Sequence, residues 1–464
     1  MAWITSRLLP FAVVALVACS SCGDCSGPDT LETGGQLDTD ITYGLNWTPV
    51  SGVYFTGDGN SYAGISLSVG DLDGDGIDEL IVGQKNNGLE LDVDEGPSYV
   101  LLKAPFDGGP LDEAAVARFI ELYEAQNNEN RALFREDAFV GDLSGDGVND
   151  LVLPGNLDDG EGSSVWHLFP GPFSGSYPSA SAAARVELGA ARVSPCDLDE
   201  DGQPDLCTGG GGYAGPLAGD ATVEDADWVW DQEDEGLGLA YLEGTGWWGD
   251  SHRGLVAYQS WFDSERRQIA VLGSDLSNGI YWSTAWEIEG FRTWDLLGGF
   301  DLTGDGAEDI VVTGAGESDL YPSVHTMILS APRMGQDDIV SGTTVFEAKL
   351  SPGSYTMAAA GDFDGDGQAD LALSNVRGWV TVFLGPLPAG EFSEEDADII
   401  LCSPEGPTCS DETTCSDPDH FGAQIAAGDL DGDGRDDLVI NAPYYDDDGT
   451  AQNGRIHIVP NAGL

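Results

Sequence analysis

The chain has 464 residues, with 82 acidic side chains against 17 basic ones and a formal net charge of −65. This balance excludes nucleic-acid binding, which needs Lys and Arg to neutralise phosphates, and it disfavours direct docking on an anionic membrane. Apolar residues make up 41% of the chain, so it can fill a large core, and its excess of Asp indicates solvation or cation binding.

The N-terminus has the pattern of an export signal. Arg7 supplies a short positive region, and the apolar run over 8–18 is too short to cross a bilayer as a helix. The run ends in Leu-Val-Ala-Cys at 16–19, which resembles a bacterial lipobox, in which the cysteine is lipidated. We therefore predict a lipoprotein signal peptide over 1–18 and lipidation of Cys19. An ordinary secretory signal with a cysteine nearby is the alternative.

Residues 19–49 are rich in Gly, Ser, Thr and Asp, which predicts a flexible tether before a folded domain over 50–464. Eight cysteines in an exported chain indicate disulfides. Cys196 and Cys207 flank a short acidic segment, and a bridge between them would close it. The cysteines whose pairing stays open are Cys22, Cys25, Cys402, Cys409 and Cys415.

Six segments repeat one acidic pattern, D-x-[DST]-x-D-G-x-x-[DE]-[LI]. Positions 1, 3, 5 and 9 offer side-chain oxygens, position 7 offers a backbone carbonyl, and Gly at position 6 permits a sharp turn. Ca²⁺ takes roughly six to eight oxygen ligands, so the pattern predicts calcium sites, up to six per chain. Each loop is named here by its first residue: Asp71, Asp142, Asp197, Asp301, Asp362 and Asp429.

The predicted ligands occupy the same five positions in every loop. They are Asp71, Asp73, Asp75, Ile77 and Glu79; Asp142, Ser144, Asp146, Val148 and Asp150; Asp197, Asp199, Asp201, Gln203 and Asp205; Asp301, Thr303, Asp305, Ala307 and Asp309; Asp362, Asp364, Asp366, Gln368 and Asp370; and Asp429, Asp431, Asp433, Arg435 and Asp437. Ser144 and Thr303 keep an oxygen at position 3 but lose its charge, so their loops should bind calcium more weakly.

The alternatives to calcium sites between strands are an EF-hand or dockerin-type loop and an acidic turn without metal. An EF-hand or dockerin-type loop needs an acidic residue at position 12 and a following helix. Position 12 is never acidic here, and the residues that follow each loop are β-branched or Leu-rich, which is typical of strands. Acidic turns without metal are the other alternative, and six copies in register argue against them.

The spacing of the loops predicts a seven-bladed β-propeller, an all-β fold of repeated four-stranded units. The 104 residues between Asp197 and Asp301 have room for a seventh unit, and 254–273 is the candidate. In that alignment Ser260, Phe262, Ser264 and Gln268 fall at positions 1, 3, 5 and 9, so the unit should bind no calcium. The last unit supplies three strands, so a strand at 53–57 is expected to complete it and join the chain ends.

The last unit carries a family resemblance. Residues 421–443, FGAQIAAGDLDGDGRDDLVINAP, closely resemble an FG-GAP repeat, as found in the β-propeller of integrin α subunits. Phe421-Gly422 and Asn441-Ala442-Pro443 stand where that family has its FG and GAP elements, and other units match less well. The resemblance extends over about residues 50–464 and implies extracellular recognition or adhesion. It does not identify a ligand.

No motif predicts an enzyme. The five histidines are scattered, and no G-x-S-x-G, HExxH or P-loop pattern occurs. The acidic pairs that a glycosidase would need are already assigned as calcium ligands. A polysaccharide-acting propeller enzyme, either a lyase or a hydrolase, is the rival hypothesis, and a passive envelope scaffold is the third.

Eight of the 12 tryptophans lie between residues 228 and 294, around the unit that lacks an acidic loop. Packing in degenerate blades would explain them, because aromatic side chains bury much area. The alternative is a ligand platform, for which Trp247 and Trp248 in a Gly-rich stretch are the best candidates.

The sequence thus predicts an exported, lipid-anchored, monomeric calcium-binding propeller of the outer membrane or cell surface. Its expected partner is an extracellular protein or glycan.

Overall fold

The structure is a computed structural model of the chain. It describes residues 47–49, 52–59, 61–84, 95–122, 138–156, 164–187, 193–197, 201–208, 211–217, 219–229, 237–242, 254–259, 268–273, 281–287, 291–316, 324–329, 344–347, 355–375, 378–403, 408–409, 415–416, 419–446 and 452–464. The predicted signal peptide, Cys19, Asp199, Trp247 and Trp248 lie outside these residues, as does most of the tether.

Within the described ranges, antiparallel strands form seven sheets of four main strands each, numbered here in chain order. The strands of each sheet are given in their order across the sheet. Sheet 1 contains Ser66–Gly70, Glu79–Gln84, Glu95–Leu102 and Ala117–Leu122; sheet 2 contains Phe139–Gly141, Asp150–Asn156, Ser164–Phe169 and Ala184–Glu187; sheet 3 contains Val193–Cys196, Asp205–Thr208, Gly211–Tyr213 and Trp228–Val229; and sheet 4 contains Leu237–Leu242, Gly254–Gln259, Gln268–Gly273 and Tyr281–Glu287. Sheet 5 contains Phe291–Phe300, Asp309–Gly316, Val324–Leu329 and Thr344–Glu347; sheet 6 contains Tyr355–Gly361, Asp370–Asn375, Trp379–Phe383 and Ile399–Cys402; and sheet 7 contains Ile425–Gly428, Asp437–Ala442, Arg455–Val459 and Val53–Thr56.

The sheets are arranged as a β-propeller. The first strand of each sheet contacts the first strands of its two neighbours, so these strands form a closed ring. Hydrophobic clusters join five pairs of neighbouring sheets, for example around Phe363 and Phe421 between sheets 6 and 7. Second strands such as Asp437–Ala442 are buried at every residue because sheets pack on both faces, which explains their continuous apolar sequences.

The two ends of the described chain meet in sheet 7. Val53–Thr56 pairs antiparallel with Arg455–Val459, and Phe55 lies opposite Ile456. This is the pairing that the three-stranded last unit predicts. Upstream of it, Trp47–Pro49 pairs in parallel with Ile400–Cys402 of sheet 6, so the last three residues of the predicted tether form a strand.

Short additional segments cover the outer edges of several sheets, where unpaired backbone groups would otherwise be exposed. Gly109–Pro110, Gly175–Pro178 and Glu391–Ser393 add parallel strands to sheets 7, 1 and 5. The other elements in the described ranges are the α-helix Leu111–Ala114, the 3₁₀ helices Ser179–Ser181, Val223–Asp225, Glu394–Asp396 and Pro460–Gly463, and a ribbon of Thr408–Cys409 with Cys415–Ser416. Among the described residues, no helix is long and apolar enough to cross a membrane.

Sheet 4 differs from the predicted seventh unit. Leu237–Leu242 is the strand that lies in the inner ring, so Gly254–Gln259 and Gln268–Gly273 are the second and third strands. The alignment of 254–273 around an acidic-loop position is therefore wrong. It failed because second and third strands have the same short apolar pattern. The segment between the first and second strands is 243–253, which contains Trp247 and Trp248.

The structure has a disulfide between Cys196 and Cys207, whose Cα atoms are 5.9 Å apart. The bridge joins the first and second strands of sheet 3 across the Asp197 loop. Cys402 is buried at the end of its strand in sheet 6. Cys409 and Cys415 lie opposite each other in the two-stranded ribbon.

Candidate metal sites

The six acidic loops occupy equivalent places in the fold, since each joins the first strand of a sheet to the second. They belong to sheets 1, 2, 3, 5, 6 and 7. Position 9 is always the first residue of the second strand, and its side chain is at most 2% exposed: Glu79, Asp150, Asp205, Asp309, Asp370 and Asp437. A buried carboxylate needs a compensating partner, because removing a negative charge from water is costly.

Backbone groups supply part of that compensation at position 9. In sheet 6 the Asp370 carboxylate accepts hydrogen bonds from the N–H groups of Phe363 (2.8 Å) and Gly385 (2.7 Å). Burial nevertheless raises the pKa of Asp370 to about 6. Burial also raises the pKa of Asp437 to about 6, although Asn461 N–H donates to it at 2.9 Å. Burial thus disfavours the charged form of these carboxyls even with the backbone bonds, and a nearby positive charge would favour it.

The position 1 carboxylate organises the turn. In the Asp362 loop it accepts hydrogen bonds from Gly365 N–H (2.8 Å) and Gly367 N–H (2.9 Å). The bond to position 6 recurs in all six loops. Gly365 and Gly367 have φ of +77° and +84°, a backbone conformation that favours glycine. The role of glycine at position 6 was predicted from the sequence, whereas that of position 4, which is Gly in five of the loops, was not.

Position 5 fixes the peptide that follows it. Its Oδ1 accepts the N–H of position 7 in every loop, at 2.8–3.0 Å. The position 7 residue is therefore held by its backbone, which explains why side chains as different as Ile77, Gln203 and Arg435 stand there.

Three loops gather carboxylates closely enough to share one ion. Oxygens within 4.8 Å of one another come from Asp71, Asp73 and Glu79; from Asp362, Asp364 and Asp370; and from Asp429, Asp431 and Asp433. Oxygen-only donors suit a hard cation such as Ca²⁺. Burial raises the pKa of position 9 in the Asp362 and Asp429 loops, and a cation bound there would favour the charged form of that carboxylate.

The two loops with a hydroxyl at position 3 are arranged differently. Ser144 donates to Asp150 from both its N–H (2.6 Å) and its hydroxyl (3.3 Å). Thr303 donates to Asp309 in the same way, at 2.8 and 3.4 Å. The hydroxyl thus partly satisfies the buried carboxylate that an Asp at position 3 would repel.

The Asp71 loop contains a cation of the protein itself. The Lys103 ammonium donates hydrogen bonds to Asp73 and to Asp75 Oδ2, the latter at 2.9 Å, and lies 3.2 Å from Glu79 Oε1. Hydrogen bonds to Asp73 and then Asp75 raise the pKa of Lys103 above its usual range, so it is charged at neutral pH. Nothing in the acidic pattern identified Lys103, because it lies 30 residues from Asp73 in sequence.

Neighbouring loops are connected through position 8, whose role the acidic pattern does not predict. Asp436 accepts the N–H of Asp362 at 2.7 Å, and Asp78 accepts the N–H of Asp429 at 3.0 Å. Asn149 donates to the carbonyl of Asp71. Burial raises the pKa of both Asp78 and Asp436. Position 8 varies in sequence, so only the packing of adjacent sheets shows its role.

The FG and GAP elements contribute to packing between sheets 6, 7 and 1. Phe421 is 1% exposed, and Gly422 has φ of +81° with Ser374 and Val380 of sheet 6 close to where a Cβ would lie. Asn441 accepts the N–H of Gln424 at 2.7 Å and donates to the carbonyl of Gly64, at the start of sheet 1. These elements are therefore structural, and the acidic loops lie between them.

A family model described as FG-GAP repeat matches residues 63–101 and 421–459. The chain carries FG-GAP repeats. These two FG-GAP repeats contain the Asp71 and Asp429 loops, in the adjacent sheets 1 and 7. Integrin alpha-PS2 of Drosophila melanogaster is 29% identical over 165 residues, which is 32% of this chain. The match spans 11% of that relative's length.

Solved structures similar to this FG-GAP repeat chain include the exotype rhamnogalacturonan lyase YesX, at 12% identity and a TM-score of 0.40. That similarity covers 89% of this chain and 75% of the lyase chain. Another is BBS1N in complex with ARL6DN, at 13% identity and a TM-score of 0.30, which covers 69% of this chain and 90% of that one.

Proposed function

We propose that this protein is an exported calcium-binding propeller that recognises a protein or glycan ligand at the cell surface and does not catalyse a reaction. The observation that carries calcium binding is the carboxylate group of the Asp362 loop, with oxygens of Asp362, Asp364 and Asp370 within 4.8 Å of one another. A bound Ca²⁺ would neutralise these oxygens and hold the first two strands of the sheet together.

The seven sheets are proposed to be seven blades, six of which carry an acidic loop. Calcium in these loops would act on stability more than on ligand contact, since each loop joins two core strands and position 9 is buried. An ion at 100 times its dissociation constant adds about 2.7 kcal/mol of stability per site. Abundant external calcium would keep even weak sites filled.

Export is supported by the disulfide between Cys196 and Cys207, since such bonds persist in oxidising compartments. The similarity to an integrin alpha chain supports a place outside the cell. Lipidation at Cys19, anchoring in the outer membrane or at the cell surface, and a monomeric state remain part of the proposal. The same applies to the Trp247–Trp248 ligand platform, which lies between two strands of the one sheet without an acidic loop.

Thermal unfolding tests the calcium proposal. The full chain is heated in chelator, in Mg²⁺ and in Ca²⁺, and we expect the melting temperature to rise substantially in Ca²⁺ alone. Mg²⁺ is the matched ion because it demands a tighter octahedral site. A melting temperature that is equal in chelator and in Ca²⁺ would refute calcium binding.

A glycan array probed with the calcium-loaded chain tests recognition, and the chelated chain is the control. Calcium-dependent binding that is lost in a Trp247→Ala, Trp248→Ala double variant with an unchanged melting temperature would support a glycan ligand at the platform. Depolymerisation of a polysaccharide library would contradict the non-catalytic role and favour the rival enzyme. A blank in both assays would direct the search to protein partners.

A further inference from the structure

Lys103 stands where a calcium ion would be expected in the Asp71 loop. Its ammonium contacts Asp73, Asp75 and Glu79, the residues at positions 3, 5 and 9. These are three of the four side-chain ligands that the acidic pattern offers. An ammonium and a calcium ion cannot both use the same oxygens, so the residues of this loop do not fit a metal while Lys103 is in place.

The register of sheet 1 explains how Lys103 reaches the loop. Leu80, which follows position 9, pairs with Leu102 on the third strand, so the next residue, Lys103, emerges beside position 9. Among the described residues, the corresponding pairs in four other loop-bearing sheets put an uncharged residue at this place: Pro170, Ala214, Leu384 and Pro460. Among these positions, a cation stands beside the Asp71 loop alone. The residue that follows the third strand therefore does not have to be charged.

We propose that the Asp71 loop is closed by the Lys103 ammonium in place of calcium, so that sheet 1 holds its loop without the ion on which the other acidic loops depend. The proposal rests on calcium binding by those other loops. It reduces the predicted number of calcium ions from six to five, and it assigns Lys103 the role of a built-in cation.

Closure of the Asp71 loop without calcium would also affect the neighbouring loop in sheet 7. Asp78, at position 8 of the same loop, accepts the N–H of Asp429 at 3.0 Å, and its own N–H donates to the Asp429 carbonyl at 2.9 Å. Asp429 is position 1 of the loop in sheet 7, where the two chain ends meet. A lysine-closed loop would therefore keep the junction of sheets 7 and 1 in register before calcium arrives.

Counting bound calcium tests the proposal. Equilibrium dialysis of the full chain at saturating Ca²⁺ is compared between wild type and Lys103→Met, which keeps the apolar stem and removes the charge. We expect the variant to bind one more calcium ion per chain than wild type. The matched control is Arg118→Gln, which removes a positive charge from sheet 1 whose partner is Asp112, outside the loop. It should leave the count unchanged.

The reciprocal variant keeps the test decisive if Lys103→Met does not fold. Leu384 occupies the equivalent place beside the Asp362 loop and, like Lys103, precedes a cis X-Pro peptide. Leu384→Lys should bring an ammonium to Asp364, Asp366 and Asp370 and reduce the calcium count by one.

Two results would overturn the proposal in different ways. Equal calcium counts in wild type, Lys103→Met and Leu384→Lys would refute the role of Lys103 and leave calcium binding intact. A wild type that binds no calcium would refute the proposed function and this inference with it. A second readout is the melting temperature in chelator, which we expect to fall in Lys103→Met and to recover in Ca²⁺.

Discussion

The Asp362 and Asp301 loops occupy the same place in two adjacent sheets but treat the buried carboxylate of position 9 differently. In the Asp301 loop, Thr303 donates to Asp309 from its N–H (2.8 Å) and its hydroxyl (3.4 Å). In the Asp362 loop position 3 is Asp364, whose charge adds to burial in raising the pKa of Asp370. One backbone thus carries a loop whose position 3 hydroxyl donates to the buried carboxylate and a loop whose position 3 carboxylate repels it.

The largest expected effect comes from removing the position 9 carboxylate of the Asp362 loop. Asp370→Ala leaves the N–H groups of Phe363 and Gly385 without their acceptor in a buried place. At roughly 1–3 kcal/mol for each unsatisfied donor, we expect a loss of about 2–6 kcal/mol in urea unfolding, in chelator as well as in Ca²⁺.

The matched control for Asp370→Ala is Asp366→Ala, at the exposed position 5 of the same loop. Its Oδ1 accepts only the exposed N–H of Gln368 among the bonds that the structure describes, so water can replace it. We expect this variant to lose calcium affinity with little loss of stability in chelator. Equal losses of stability in the two variants would contradict the importance of burial at position 9.

The next largest effect is expected from breaking the hydrogen bond between two adjacent loops. Asp436→Ala removes the acceptor of the Asp362 N–H and makes position 8 resemble Ala369, which has no side-chain acceptor. We expect unfolding to become easier by about 1–3 kcal/mol and calcium affinity to fall in the Asp362 loop, although the mutated residue belongs to the Asp429 loop. Calcium titration that shows no change at the Asp362 loop would mean that adjacent loops are independent.

Exchanging the residues at position 3 tests the comparison directly. Ser144→Asp should increase calcium affinity of the Asp142 loop by about tenfold, or about 1.4 kcal/mol, because it adds a charged ligand. The same variant should be less stable than wild type in chelator, because the added charge faces Asp150 without the Ser144 hydroxyl bond. Asp364→Ser should change both quantities in the opposite direction, and calorimetric titration with urea unfolding measures them.

The smallest expected effect is a dependence on pH in chelator. Burial raises the pKa of Asp370 to about 6, above its ordinary value of 3.8. Its contribution to stability is therefore complete below about pH 4 and is lost as the pH rises through about 6. We expect about 1 kcal/mol more stability at pH 5 than at pH 7 from this group, and Asp370→Asn should lack it.

His457 acts in the opposite direction and must be separated from that effect. Burial, and then the charge of Arg455, lowers the pKa of His457 to about 3. Its neutral form stabilises the fold above about pH 6.5, and that contribution is lost as the pH falls toward 3. The difference between wild type and Asp370→Asn cancels this term because both contain His457. A difference that does not vary with pH would refute the raised pKa of Asp370.

Much of the fold could be predicted from local sequence. The acidic loops mark the boundary between the first and second strands because nine consecutive residues contain both the turn glycine and the first buried residue of a strand. The last unit has only three strands in sequence, so a strand at 53–57 was predicted to be its fourth. Val53–Thr56 is that strand. The prediction was wrong in the 254–273 unit, where no acidic loop distinguishes a second strand from a third.

The sequence by itself determined the repeat, the propeller class and the residues of each acidic loop, because these depend on contacts within about ten residues of chain. Only the tertiary structure decided what each loop does with its charge. Lys103, Asp78 and Asp436 reach a loop from another strand or another sheet, and no local pattern specifies such a neighbour. Burial at position 9, which raises the pKa of Asp370 and Asp437, likewise exists only once adjacent sheets are packed together.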